Sequence, residues 1–65
     1  MNIETNIVQR LLRIRDVMTR TGISRPQIYR MMTDGRFPRS VKLSERSVAW
    51  RESEVCEWIN GRIRS

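Results

Sequence analysis

The residues of this sequence that could do chemistry are its arginines and the polar side chains interleaved with them. Ser24, Arg25, Gln27, Tyr29 and Arg30 stand within one short stretch, and Arg36, Arg39, Lys42 and Arg46 follow soon after it. A guanidinium offers a planar fork of donors that holds a phosphate, or the N7 and O6 of a guanine, with two bonds. A glutamine amide pairs with adenine in a similar way, and a serine or tyrosine hydroxyl bonds a phosphate. That chemistry is recognition, not turnover. The chain has no histidine, which removes imidazole acid/base catalysis, a Ser-His-Asp triad and histidine metal sites. Glu52, Glu54 and Glu57 gather where a helix is expected to begin, a position the dipole favours for acids. The sequence is therefore expected not to encode an enzyme and to have no catalytic residue, metal, cofactor or small-molecule substrate.

Composition points the same way. Thirteen basic residues stand against seven acidic ones, a net charge of +6 with a pI near 11.3. All the basic residues except Lys42 are arginine. So strong an excess on a small body favours a polyanionic partner through counterion release and steered association; a merely solubilising surface is the alternative. At 65 residues the chain has room for one domain. Its single cysteine, Cys56, excludes an internal disulfide. No apolar run approaches the roughly 18 residues of a membrane span, and the start lacks the basic-then-apolar order of a signal peptide. A cytoplasmic protein without a membrane partner is expected.

These residues need elements to position them. Residues 1–9 read as a flexible N-terminal arm and 10–65 as the domain. Leu11 to Ile14 should be extended, and a short helix from Asp16 should stop at Gly22, which suits a left-handed C-terminal position. Ser24 as cap, Pro26 in the first turn and Gln27 closing a capping box start a second helix. It should run from about Arg25 to Thr33, bury the stripe Ile28, Met31 and Met32, and end at Asp34-Gly35. Val41, Leu43, Val48 and Trp50 read as a hairpin around Ser44-Glu45-Arg46-Ser47, with Val41 and Leu43 on one face and Lys42 on the other. Ser53 is the expected cap of a last helix, with Arg62 and Arg64 at its end and Val55, Trp58, Ile59, Arg62 and Ile63 on one face. Trp50 and Trp58 are expected in the core, and Cys56 beside it as a packed residue, with redox sensing the alternative.

The turn Thr21-Gly22-Ile23-Ser24 has the length used in helix-turn-helix units, whose second helix enters the major groove. With Ile28 inward and about 3.6 residues per turn, Pro26, Tyr29, Arg30 and Thr33 point away, and Arg25 and Gln27 lie on the shoulders. Groove contact is expected from this face, the alternative being a solvated helix surface. Arg36 and Arg39 flank Phe37-Pro38 where a docked duplex would carry its backbone. Arg46 at the hairpin tip and Lys42 on its strand would form a wing on the phosphates or in the minor groove, whereas Arg51 could instead pair with Glu52 or Glu54.

The string from Leu11 to Val17, then Thr21-Gly22-Ile23-Ser24-Arg25, Ile28-Tyr29-Arg30-Met31-Met32, Gly35-Arg36-Phe37-Pro38, Val41-Lys42-Leu43, Trp50 to Val55, and Trp58-Ile59 resembles the AlpA family of prophage regulators. These are winged helix-turn-helix proteins related to MerR-type domains and excisionases. The resemblance implies an α+β fold of two short helices, a β-hairpin wing and a C-terminal helix. It also implies a bacterial or phage source and a transcriptional regulator of prophage or mobile-element genes that binds double-stranded DNA in the cytoplasm. In some members the role is to bend attachment-site DNA for an integrase. Carried over, the recognition helix is Ser24 to Thr33, with Arg25, Tyr29 and Arg30 in the motif, and the wing is Val41 to Trp50. Pro26-Gln27 and the Ser-Glu-Arg-Ser wing turn depart from the family pattern, both at expected contact positions. Further copies on repeated sites are an expected partner. A small protein-binding adaptor is the reading from another class; RNA or single-strand binding would need exposed aromatics, and only Tyr29 qualifies.

Overall fold

Gly22 and Gly35 have φ of 75° and 78°, and each closes a helix that local signals in the chain open. The computed structural model describes residues 10–64; the expected arm at 1–9 lies outside them. In chain order the elements are β1 (Leu11–Leu12), α1 (Ile14–Thr21), α2 (Arg25–Thr33), β2 (Val41–Ser44), β3 (Ser47–Arg51) and α3 (Glu52–Arg64).

In α1, Asp16 occupies the first turn and Arg20 the last, as the dipole favours. The Gly22 amide donates to the Met18 carbonyl over 2.8 Å. The Thr21 hydroxyl donates to the Val17 carbonyl and accepts the Ile23 amide, which holds the turn into α2. Ser24 stands at the N-cap of α2 in extended conformation, yet its side chain makes no capping bond, so the expected capping box does not form. Pro26, at the second helical position, has no N–H to give, and the Gln27 amide that a capping box would use does not donate to the Ser24 hydroxyl. At the other end the Gly35 amide donates to Met32 and the Arg36 amide to Met31, the paired bonds of a Schellman motif.

The strands form an antiparallel sheet in the order β1-β3-β2. Leu11 and Leu12 face Arg51 and Trp50, so the extended segment before α1 pairs into the sheet as a third strand; it is shorter than expected, and the helix begins at Ile14 rather than at Asp16. In the hairpin, Val41 faces Ala49, Lys42 faces Val48, and Ser44 faces Ser47, with a register shift between Lys42 and Ser44. Leu43 is the extra residue of that bulge. A bulge interrupts side-chain alternation, and Leu43 is 47% exposed instead of sharing the buried face with Val41. Glu45 and Arg46 alone make the turn.

β3 passes directly into α3. The first amide of the helix, at Glu52, donates to the Arg10 carbonyl over 2.8 Å, continuing the β1–β3 ladder. Ser53 therefore lies inside the helix and is not its cap. The core comprises Leu12, Val17, Ile28, Met31, Phe37, Trp50 and Val55, with Ile14, Met18, Ile23, Tyr29, Met32, Val48, Trp58 and Ile59 half-buried around it. Ile63, expected on the buried face, is 74% exposed, because the last turn of α3 runs past the packed elements. Cys56 is half-buried, its sulfur 4.0 Å from Nη1 of Arg20.

The two indoles share a task that composition does not reveal. Trp50 is fully buried and its Nε1–H donates to the Pro38 carbonyl over 3.1 Å. Trp58 is half-buried, not a core residue in the full sense. Its ring meets Phe37 edge-on at 5.0 Å, and its Nε1–H donates to the Arg36 carbonyl over 2.8 Å. Both pin the segment that joins α2 to the hairpin. Arg62 lies over the Trp58 ring at 4.5 Å, a cation–π contact that keeps its charge in water.

Candidate nucleic-acid interface

Helix α2 turns Ile28 and Met31 into the core and leaves Ser24, Arg25, Pro26, Gln27, Arg30 and Thr33 exposed. α1 packs against it, its buried residue Val17 lying in the same core cluster as Ile28 and Met31. The exception to the helical-wheel expectation is Tyr29. It is half-buried, because its ring packs against the core cluster, edge-on to Trp50 at 5.9 Å. Arg25 sits over the same ring at 5.9 Å. Helix α2 and the base of the hairpin thus touch through one aromatic pair.

Carboxylates neutralise a particular subset of the arginines. Glu52 holds Arg20 at 2.9 Å and Arg10 at 3.7 Å, and Glu54 holds Arg51 at 3.7 Å. These pairs link α1, the residue before β1 and the end of β3 to α3. Arg51 therefore takes the intramolecular pairing that the sequence offered as its alternative role. Arg36 is exposed, but its Nη2 is 3.1 Å from Asp34 Oδ2, so a phosphate would have to displace a carboxylate. Arg39 lines a shallow open groove with Arg51, Glu54, Glu57 and Trp58, which places it beside acids of α3. Arg25, Arg30, Lys42 and Arg46 are all exposed, and among the described residues no carboxylate reaches them.

Arg13 is a basic residue the sequence offered no reason to single out. Its Nε–H donates to the Val48 carbonyl of β3 over 3.2 Å, 35 residues away along the chain. No local pattern could have shown that contact. Among the described residues no helix is long and apolar enough to cross a membrane.

Two short helices joined by a tight turn, then a hairpin and a closing helix, define a small winged helix-turn-helix domain, with exposed basic and polar side chains on its second helix and its wing. Over residues 10–63 the chain matches the family model described as "Prophage CP4-57 regulatory protein (AlpA)". It belongs to the AlpA family. It is 46% identical over 55 residues to "Uncharacterized protein ORF88" of Enterobacteria phage P4, covering 85% of this chain and 62% of that protein. It is 34% identical over 61 residues to "DNA-binding transcriptional activator AlpA" of Escherichia coli (strain K12), covering 85% of this chain and 87% of that protein. The chain thus spans a little over three-fifths of the length of the phage P4 relative.

Proposed function

We propose that this protein is a sequence-specific double-stranded DNA-binding regulator of prophage or mobile-element transcription, with α2 in the major groove and the hairpin on the backbone. The carrying observation is the division of charge. Glutamates occupy Arg10, Arg20 and Arg51, while Arg25 and Arg30 on α2 and Lys42 and Arg46 on the wing, like Arg13, Arg15 and Arg39, are exposed and have no carboxylate partner among the described residues. Unpaired guanidinium forks on a helix of this type read guanine edges, and those on a wing hold phosphates. The name of the Escherichia coli relative, a DNA-binding transcriptional activator, supports the same reading.

In this proposal Arg25, Gln27 and Arg30 reach base edges, while Ser24 and the Tyr29 hydroxyl bond phosphates. Lys42 and Arg46 track the backbone. Arg36 and Arg39 join as phosphate contacts, Arg36 by exchanging Asp34 for a phosphate. Further copies at repeated sites, and an integrase, are the protein partners that fit it. Selection of bound duplexes from a random pool tests it: a recurrent short motif, bound more weakly as salt rises, is the expected result. No enrichment together with salt-insensitive behaviour would point to the protein-binding adaptor. A pronounced bend in the selected duplex would identify the excisionase-like form of the activity.

A further inference from the structure

We propose that Arg13, outside both the recognition helix and the wing, is a phosphate-binding residue fixed at the wing's base. This rests on the DNA-binding reading above. Arg13 follows β1, whose pairing with β3 stops at Leu12 and Trp50. Beyond that point its side chain runs along β3, and the Nε–H takes the Val48 carbonyl. Val48 in turn faces Lys42 across the hairpin. The residue is exposed, and among the described residues no carboxylate pairs with it. Anchoring through Nε leaves both Nη groups as the open side of the fork, the geometry that holds two phosphate oxygens. A guanidinium already held in place loses less freedom on binding than a mobile one. Arg13 therefore adds to the wing's exposed cations a fixed one, bonded to the strand whose far end leads to Arg46.

The test separates a phosphate contact from a brace. Arg13→Gln keeps an N–H donor for the Val48 carbonyl and removes the charge; Arg13→Lys keeps the charge and loses the fork. Each full chain is titrated against a selected duplex and a random duplex between 0.05 and about 1 M salt, with a thermal melt to confirm folding. One phosphate contact corresponds to about 0.9 in the slope of log affinity against log salt, or roughly eightfold at 0.1 M relative to 1 M. Arg13→Gln is expected to flatten the slope by that amount on both duplexes, and Arg13→Lys to retain it. If Arg13→Gln keeps the wild-type slope, or weakens the selected duplex alone, the inference fails while the DNA-binding reading stands. If the wild-type chain binds neither duplex, the reading itself fails and takes the inference with it.

Discussion

The ring of Tyr29 on α2 meets the buried indole of Trp50 on β3 edge-on, at a centroid distance of 5.9 Å and an interplanar angle of 65°. This pair ties the helix proposed to enter the groove to the strand that carries the wing. Aromatic pairs in this geometry contribute about 0.5–1.5 kcal/mol beyond area burial, so the angle between helix and wing is held by side-chain packing as well as by the chain. Tyr29 consequently has two parts with different duties. Its ring is structural, and only its hydroxyl is available to a phosphate.

Tyr29→Phe should leave the thermal stability nearly unchanged, because the ring contact survives, and should weaken DNA binding to all sequences alike. Tyr29→Ala should cost about 2 kcal/mol of folding free energy through lost burial and lost pairing. Urea denaturation of the two variants checks the division; a Phe variant as unstable as the Ala variant would refute it.

Arg25→Ala and Arg30→Ala should each weaken binding to a selected duplex by about 1–3 kcal/mol, with a much smaller loss on random DNA. The comparison between the two duplexes is the measurement. Equal losses on both would reassign these residues to the phosphates.

Arg46→Ala should weaken all sequences by a similar factor and reduce the salt slope by about one. The turn holds only Glu45 and Arg46 between the strands, so the substitution removes the charge at the tip without touching the core. A slope equal to the wild type's would take the wing tip out of the interface.

Trp50→Ala should cost roughly 3–5 kcal/mol, as expected for a fully buried indole, and leave so small a domain largely unfolded. Trp58→Ala removes a half-buried ring and should cost less, about 2–3 kcal/mol. Trp58→Phe keeps most of the packing on Phe37 and loses only the bond to the Arg36 carbonyl, about 0.5–1.5 kcal/mol. Equilibrium unfolding of the three variants should rank them in that order.

Gly22→Ala and Gly35→Ala should each destabilise by about 1–2 kcal/mol. A Cβ at either position meets nothing within 4 Å, so the penalty is that of the left-handed backbone and not of a clash. Asparagine, which tolerates that region better, should be the milder substitution at both sites. Alanine variants as stable as the wild type would show that these helix ends relax.

Much of the architecture was legible because its signals are local. The limits of α2, from Arg25 to Thr33, follow from Pro26 near its start and Gly35 just past its end, each acting on neighbouring dihedral angles. The periodic stripe of Ile28 and Met31 showed the inward face for the same reason, and the arginine excess was visible in the composition. The Ser24 cap and the Ser53 cap misled, since a capping residue type says what a side chain could bond and not where the helix starts or whether the bond is made. Ser24 stands at the N-cap without making the bond, and α3 starts at Glu52, directly out of β3, so Ser53 lies within it.

The sequence by itself determined the class of domain, the sign of its charge and the helix expected to present it, because helix limits and net charge depend on residue type and short spacing. Beyond local pairs such as Arg51–Glu54, tertiary structure decided which charges remain available. Arg20 lies 32 positions from Glu52 in the chain yet 2.9 Å from it in space, and Arg13 reaches Val48 across a separation of 35. It also decided that Leu43 bulges outward and that two indoles anchor the link between helix and wing. Such contacts depend on how the sheet, α1 and α3 close upon one another, and no property of neighbouring residues encodes a meeting that only packing brings about.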